Sequence, residues 1–258
     1  MTTPVRVTRI RNGERAAADD VVVREHTLIL VVGGRRLLRL QCLPNDVEDL
    51  AIGLLATSGL LSFRAPVPAV RYEPGKSEVH LDLHPSDETI ARLQESLTLG
   101  SGCGSALSPT KEFDPFECER KIDTAFRVPA AAITEAMRDF MRRSEIFRET
   151  GAVHSAAIAC NASIVAFAED IGRHNAFDKV IGACRRQGIP LYDKLGLVTG
   201  RLSLELVAKA VPSSLPVLVS RGAPTDAAVD LAARANLTLI GFARADRMNL
   251  YTADWRIV

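Results

Sequence analysis

The chain has 258 residues, 47% of them hydrophobic, which is enough to bury one large core or two smaller ones. Its 32 basic and 31 acidic side chains leave a formal net charge of +1, so no whole-protein field attracts nucleic acid or an anionic membrane. No apolar run approaches the roughly 20 residues that span a bilayer, and the start of the chain contains no signal-peptide core. We therefore expect a cytoplasmic protein that binds neither nucleic acid nor membranes.

The chain begins with a β-rich segment. Hydrophobic and β-branched residues predict strands at residues 21–23, 27–32 and 36–41. Gly33 and Gly34, between the last two strands, predict a hairpin turn. The stretch before these strands shows no such pattern, and we expect about 20 residues there to be loosely ordered.

Residues 1–99 are predicted to form a small α+β domain. Asn45, with Glu48 three residues later, resembles a capping box that begins an amphipathic helix. This helix is expected to cover the strands and to end at Gly59. The remaining predicted elements are strands at residues 70–72 and 79–83 and a helix that begins at Ser86.

A loop over residues 100–124 follows, in which the hydrophobic periodicity fails. Loops of this length are uncommon unless they are functional or disordered. Cys103 lies in it between Gly102 and Gly104, which add no side-chain bulk and let the backbone adopt shapes that other residues resist. A thiolate on such a loop can be delivered to another molecule's sulfur and then to an acceptor. An incidental surface cysteine is the alternative interpretation.

The five cysteines have no paired spacing, and their odd number argues against a disulfide framework. Cys42, Cys160 and Cys184 have apolar neighbours or end a strand, and such residues usually behave as small apolar side chains. Cys118 stands between two glutamates, whose charges oppose a thiolate. The sequence therefore favours Cys103 as the reactive cysteine.

Residues 125–258 alternate helices and strands, which is typical of an α/β layer structure. Pro129 begins a helix with Ile133, Met137 and Phe140 on one side. Helical crossovers join the later strands, so these strands are predicted to be parallel. Further helices are predicted at about residues 174–187, 203–211 and 226–235, and strands at residues 153–159, 164–168, 195–199, 217–220 and 238–241.

A run of charged and polar residues, 169–179, lies where a strand gives way to a helix. Arg173 and Lys179 can hold anions, His174 can exchange a proton near neutrality, and the free N–H groups at a helix start favour phosphate. The alternative is a solvated face, on which Asp178 pairs with Arg173 or Lys179 and Asn175 acts as a cap.

Three turns that follow strands of the second domain combine small residues with arginine. They lie at residues 199–201, 220–224 and 241–247. Ligands of α/β proteins bind at the carboxyl ends of strands, and guanidinium holds phosphate oxygens with two parallel bonds. The turns therefore suit a large phosphorylated or nucleotide ligand, although ordinary turns have a similar composition.

His154 suggests a zinc deaminase as a competing hypothesis, because such enzymes carry a His-x-Glu motif followed by Pro-Cys-x-x-Cys. Both halves of that signature fail here. Ala156 replaces the glutamate that shuttles protons, and no Cys-x-x-Cys occurs in the chain. A hydrogen-bonded structural histidine is the better interpretation of His154.

These motifs together resemble the FdhD-type formate dehydrogenase accessory sulfurtransferases. The resemblance covers residue 25 to the end, with the order and spacing of the motifs preserved. Its most specific part is the run 169–179. The other matching motifs are Gly-Cys-Gly at 102–104, Thr-Gly-x-Val-His-Ser-Ala at 150–156, Gly200-Arg201 with Ser203 and Glu205, Ala223-Pro224-Thr225, and Gly241-Phe242 with Arg244.

The resemblance implies a cytidine-deaminase-like α/β domain without zinc, joined to the smaller domain, in a homodimer. It also implies that a cysteine desulfurase loads sulfur onto a loop cysteine, which aligns with Cys103. The sulfur then passes to the molybdenum bis(molybdopterin guanine dinucleotide) cofactor of formate dehydrogenase. Residues 242–247 align with a cofactor-binding stretch. With the turns and the helix start, the expected cofactor-binding residues are Arg173, His174, Gly200, Arg201, Ser220, Phe242, Ala243, Arg244, Ala245, Asp246 and Arg247.

The chain departs from the family pattern beside the reactive cysteine. Many members carry Cys-x-x-Cys, whereas Ala106 stands at the second position here. No neighbouring thiol can then resolve a persulfide, so we expect direct transfer. The departure also leaves open a chaperone that binds the cofactor without sulfur chemistry, and a deaminase-like hydrolase is a more distant alternative.

Overall fold

The computed structural model describes residues 1–86, 120–244 and 246–258. Cys103, Cys118 and Ala245 lie outside these residues, as does the helix predicted to follow Ser86. The described residues form three sheets, of two, four and six strands. Within them, no helix is long and apolar enough to cross a membrane.

The chain begins with a β-hairpin, so the expectation that about 20 initial residues are loosely ordered is wrong. Strands β1 (Thr2–Arg11) and β2 (Glu14–Val23) pair antiparallel along their whole length. Asn12 and Gly13 turn the chain with φ angles of 52° and 85°. Asn-Gly is the strongest short-range hairpin signal because both positions of this turn need positive φ. The Asn-Gly dipeptide therefore indicates the hairpin, which the pattern of strand-forming residues does not.

A four-stranded sheet in the order β4-β3-β6-β5 follows the hairpin. The predicted turn at Gly33 and Gly34 is confirmed, since it joins two antiparallel strands. Parallel pairing of β3 with β6 completes the sheet, and helix α1 packs its apolar residues against it. The elements are β3 (His26–Val32), β4 (Arg35–Cys42), α1 (Val47–Thr57), β5 (Val70–Glu73) and β6 (Glu78–Leu81).

The capping box predicted at the start of α1 is wrong. The helix begins one residue later than a cap at Asn45 requires, after Asp46, whose φ is 51° and whose side chain makes no capping bond. The Asn45 side chain instead accepts a hydrogen bond from Lys179 Nζ at 3.1 Å. A residue far along the chain has therefore replaced the local backbone as its partner.

The larger sheet has six strands in the order β12-β11-β10-β9-β7-β8. As predicted, β9, β10 and β11 are parallel; β7 runs antiparallel to both of its neighbours. The strands are β7 (His154–Cys160), β8 (Ser163–Asp170), β9 (Leu195–Val198), β10 (Val217–Ser220), β11 (Thr238–Gly241) and β12 (Asn249–Leu250), and the helices are α2 (Ala130–Arg143), α3 (Glu145–Thr150), α4 (Arg173–Arg186), α5 (Leu204–Ala210) and α6 (Asp226–Arg234).

Helices cover both faces of this sheet. Ile133, Met137 and Phe140 of α2 pack on one face, as their spacing predicts. Helices α4, α5 and α6 bury their apolar residues against the other face, where Phe177 is wholly buried. The result is a three-layer α/β arrangement. The finer expectation of a cytidine-deaminase-like fold, and the domain limits at 99 and 124, stay predictions.

Two glycines bring α1 and α4 into backbone contact where the four-stranded sheet meets the six-stranded sheet. A Cβ atom at Gly53 would lie 1.8 Å from the carbonyl oxygen of Asp178. One at Gly182 would lie 1.9 Å from the carbonyl oxygen of Asp49. No side chain fits at such distances, so only glycine permits this crossing of the two helices.

Two buried ion pairs stand beside this crossing. Lys209 Nζ lies 2.7 Å from Asp178 Oδ2. Lys179 Nζ lies 2.7 Å from Asp170 Oδ2, which also accepts a hydrogen bond from the Leu43 backbone at 3.0 Å. The four charged side chains are at most 2% exposed. The charged run therefore joins the two halves of the chain.

The interpretation of residues 169–179 as a solvated face is thus wrong. Asp178 pairs with Lys209, which lies on another helix, and not with Arg173 or Lys179. Lys179 is occupied by Asp170, so it is not free to hold an anion. Partners this distant in sequence leave no local spacing signal.

Asn175, proposed as a helix cap, serves this junction too. Its Nδ2 donates to the Gln41 carbonyl oxygen at 2.8 Å and to Asp170 Oδ1 at 2.9 Å. The α4 helix begins after Gly172 without a side-chain cap. The amide therefore links β4 to α4.

Candidate functional site

The predicted site residues share one edge of the six-stranded sheet. Because β9, β10 and β11 are parallel, their carboxyl ends all reach this edge. The pairing of His154 with Asp170 brings the start of β7 and the end of β8 to the same edge. The three arginine-containing turns and the start of α4 therefore line up along it.

Hydrogen bonds connect the three turns. Ser220 Oγ donates to the Gly200 carbonyl oxygen, and the Ser220 carbonyl oxygen accepts from the Ala243 backbone at 2.9 Å. The Gly222 carbonyl oxygen accepts from Phe242 at 3.0 Å. A Cβ atom at Gly222 would lie 2.8 Å from the Gly200 oxygen, so the close approach of two turns needs glycine there.

A cavity of about 610 Å³ lies between α2, α3 and the ends of β10 and β11. Five arginines contribute to its walls, and we call it the arginine pocket. Two methionines supply apolar surface. Its lining residues are Thr134, Met137, Arg138, Met141, Arg142, Arg148, Arg221, Ala243 and Arg244.

The arginine pocket carries little compensating negative charge. Arg148 lies 3.9 Å from Glu145, whereas across the described residues no carboxylate oxygen lies within 4.0 Å of the other four guanidinium groups. Arg221 donates to Met141 Sδ at 3.8 Å, and Arg244 donates to the Arg221 carbonyl oxygen at 2.8 Å. Guanidinium groups held without acidic partners suit a polyanion such as a pyrophosphate.

Of the expected cofactor-binding residues that the structure describes, only Ala243 and Arg244 line this pocket. Phe242 stands beside them with a φ of 51° and a 39% exposed side chain. Arg201 is exposed and outside the lining, and so are Asp246 and Arg247. The other expected residues, Gly200, Ser220, Arg173 and His174, lie further along the edge, and the structure does not describe Ala245.

Three pocket arginines were missed by sequence reasoning. Arg138 and Arg142 are four residues apart on α2, where like charges repel each other across one helical turn. Arg148 follows on α3, a helix of only six residues. Their i, i+4 spacing is a weak signal of an anion site, because Glu135 and Asp139 each precede one of the two arginines by three residues, a spacing at which helical charges pair.

The start of α4 forms a second cluster with the β9 turn. A Cβ atom at Gly200 would lie 3.0 Å from Arg173 Cδ and 3.5 Å from His154 Nδ1. The same nitrogen lies 3.3 Å from Thr199 Oγ1. Arg173 Nε and His174 Nε2 are buried and have no hydrogen-bond partner in the described parts of the chain. Buried polar atoms without a partner are rare.

His174 is neutral at pH 7, which corrects the expectation that it exchanges a proton near neutrality. Burial, and then the charges of Lys209, Arg173 and His154, lower the pKa of its imidazole to about 3. Burial, and then Arg173, also lower the pKa of His154. Both rings can therefore take part in hydrogen bonds without carrying charge.

Replacing His174 with asparagine should reduce the loss of stability in acid. Between pH values of about 6.5 and 3, the unfolded chain binds a proton on His174 that the folded chain excludes. The free energy of unfolding therefore falls as the pH falls, by up to about 1.4 kcal/mol per pH unit. Urea unfolding at about pH 7 and about pH 5 measures the slope.

The matched control for this prediction is His84→Asn, because the His84 side chain is 80% exposed. We expect this variant to keep the acid sensitivity of the parent protein. Equal slopes for His174→Asn and the parent would contradict a buried neutral ring at position 174.

Among the described residues, three potential metal ligands meet at Glu73, Glu78 and His80. Cations already occupy their carboxylates. Arg36 lies 2.8 Å from Glu78, and Lys76 lies 2.9 Å from Glu73. An ion-pair network therefore accounts for this cluster, which lies on the small sheet, away from the edge that carries the turns.

The chain matches the model of the FdhD/NarQ family over residues 23–258. It is 32% identical to the sulfur carrier protein FdhD of Bacillus licheniformis, in an alignment that covers 100% of this chain and 97% of the relative. The corresponding protein of Wolinella succinogenes is 35% identical, with 94% of this chain and 84% of the relative covered.

A solved structure supports the fold. It is that of a protein described as a formate dehydrogenase accessory protein, from Desulfotalea psychrophila, and it superposes with a TM-score of 0.79. The superposition covers 100% of this chain and 99% of the other, at 23% identity. The family match over residues 23–258 and the relatives agree with the resemblance carried by the motifs. The chain belongs to the FdhD/NarQ family.

Proposed function

We propose that this protein is a sulfurtransferase of the cytoplasm. It accepts sulfur from a cysteine desulfurase as a persulfide on Cys103 and transfers it to the molybdenum bis(molybdopterin guanine dinucleotide) cofactor needed by formate dehydrogenase. The cofactor is the substrate that the protein holds, and the working form is a homodimer. The names of the relatives, sulfur carrier protein FdhD, support the sulfur-handling part of this function.

The arginine pocket is the observation that carries the cofactor-binding part of the proposal. The substrate is a bulky polyanion with two pyrophosphate groups and flat guanine rings. Five guanidinium groups would bind the phosphate oxygens, while Met137 and Met141 offer apolar contact to a ring. The volume of about 610 Å³ is within the range of small-molecule sites.

Two of the cysteines that the structure describes are poorer nucleophiles than an exposed cysteine. Burial raises the pKa of the Cys42 and Cys184 thiols to about 12. Since the thiolate is the nucleophile, both stay inert at neutral pH. Cys160 is partly exposed at the end of β7, which makes it the matched control for Cys103.

Mass spectrometry tests the loading step. After incubation with a cysteine desulfurase and free cysteine, the peptide that contains Cys103 should gain the mass of one sulfur atom. The peptide that contains Cys160 should not gain it. An unmodified Cys103 peptide would reject the sulfur carrier and leave a chaperone that only binds the cofactor, a function that the arginine pocket supports equally well.

Removing pocket arginines should weaken nucleotide binding. With guanosine diphosphate as the probe, Arg142→Gln and Arg221→Gln should each raise the Kd about 10- to 100-fold, because each loses a charge-assisted hydrogen bond. Isothermal titration calorimetry measures the change. Arg143→Gln is the matched control, since Arg143 is on the same helix and pairs with Asp139 at 3.0 Å. Equal losses in all three variants would contradict a specific pocket.

A further inference from the structure

The start of α4 offers several hydrogen-bond donors, apart from the arginine pocket. The first intrahelical bond there runs from the Ala176 N–H to the Gly172 carbonyl oxygen at 3.0 Å. The N–H groups of the residues in between have no acceptor within the helix. Arg173 Nε is buried close by without a partner in the structure as described.

His174 adds a buried polar atom to this group. The residue is 7% exposed, and its Nε2 has no partner within the described ranges. Arg173 Cδ and His154 Nδ1 both lie next to Gly200, so these two side chains border one space, and His174 follows Arg173 in the first turn of α4. Gly200 borders this space, because a Cβ atom there would press on Arg173 Cδ at 3.0 Å.

The charges around this space leave an excess of about one positive charge. Asp170 is occupied by Lys179 at 2.7 Å, and Lys209 is occupied by Asp178 at 2.7 Å. His174 is neutral, so Arg173 and the positive end of the helix dipole remain. A small monoanion balances this arrangement, whereas a phosphate dianion would bring a second charge to be desolvated.

We propose that Arg173, His174 and the first turn of α4 form a subsite for a sulfur monoanion, the terminal sulfur of a persulfide. The anion accepts hydrogen bonds from Arg173 Nε, the His174 ring and the helix N–H groups, and binding makes or breaks no covalent bond. The subsite rests on the proposed sulfur-carrier function. It deepens that function by separating the place that holds sulfur from the arginine pocket that holds phosphate.

Thiocyanate, a monoanion with a terminal sulfur, is the probe. It is titrated into full-length Cys103→Ser protein labelled with ¹⁵N-histidine, so that no persulfide can form at position 103. We expect a saturable shift of the His174 ring nitrogen resonances. Arg173→Gln should raise the Kd about tenfold or more, because the guanidinium bond is lost. Arg186→Gln, at the other end of the same helix, should bind as the parent does.

Three results would overturn the subsite. They are no shift at His174, a shift that Arg173→Gln leaves unchanged, and tighter binding of inorganic phosphate than of thiocyanate at the same resonances. The last would identify a phosphate subsite. None of them affects whether Cys103 gains sulfur in the mass-spectrometric experiment. Failed loading alongside intact thiocyanate binding would instead reject the sulfur carrier and the persulfide as ligand.

Discussion

Replacing Lys209 with methionine should destabilise the protein by about 3–5 kcal/mol. The substitution removes the cation that lies 2.7 Å from Asp178 and leaves a carboxylate that is 0% exposed. Thr57, which donates to Asp178 Oδ1 at 2.7 Å, cannot supply the missing charge. Urea unfolding near neutral pH measures the loss.

The loss in Lys209→Met should grow as the pH rises. Burial raises the pKa of Asp178, and Lys209 is the largest influence that opposes this rise. Without Lys209, the folded chain holds a proton on Asp178 at pH values where the unfolded chain has released it. The free energy of unfolding therefore decreases with increasing pH in that window.

A double variant tests whether the loss of stability comes from the unpaired buried charge or from the changed packing of the side chains. Asp178→Leu combined with Lys209→Met replaces the pair by apolar side chains, and it should recover much of the stability lost in either single variant. Thr57 then keeps the Leu54 carbonyl oxygen as its acceptor, at 3.4 Å. A double variant as unstable as the sum of the singles would show that the two residues do not act as a pair.

Cys103→Ser should abolish both sulfur loading and cellular formate dehydrogenase activity, if the proposed function holds. A serine hydroxyl cannot carry a transferable sulfur atom, so the loss should be complete rather than graded. Complementation of a strain that lacks the endogenous sulfur carrier measures the cellular activity. Because Ala106 leaves no second thiol three residues after Cys103, no neighbouring residue should rescue the variant.

Two comparisons make this experiment specific. Cys160→Ser should keep full activity, because Cys160 lies at the end of β7 and outside the arginine pocket. Guanosine diphosphate should bind to Cys103→Ser as it does to the parent. Retained formate dehydrogenase activity together with retained nucleotide binding would favour the chaperone that handles no sulfur.

Local patterns predicted most of the secondary structure. The amphipathic spacing of Ile133, Met137 and Phe140 gave the buried face of α2, and the alternation of strands with helices gave the parallel pairing of β9, β10 and β11. Two short elements were not predicted, because α3 has six residues and β12 has two. Periodicity cannot be recognised over so few positions.

The charged run shows where sequence reasoning reached its limit. Its density of ionisable residues correctly marked residues 169–179 as unusual, but burial and partners decide what each charge does. Lys179 and Asp178 form buried ion pairs that join the two halves of the chain. Arg173 Nε and His174 Nε2, in contrast, have no hydrogen-bond partner among the described residues. Neither outcome is visible without knowing that Leu43 and Lys209 come into contact with this segment.

The glycine crossing of α1 and α4 affects how the chain is made. Helix α1 leaves the ribosome long before its packing partner, since the bond from Leu43 to Asp170 spans 127 positions and the one from Lys209 to Thr57 spans 152. Until these later residues have been synthesised, the face of α1 that packs against α4 stays exposed. Such late, non-local contacts slow folding and expose apolar surface in the interval. We expect newly synthesised chains to need chaperone protection until residue 209 has emerged.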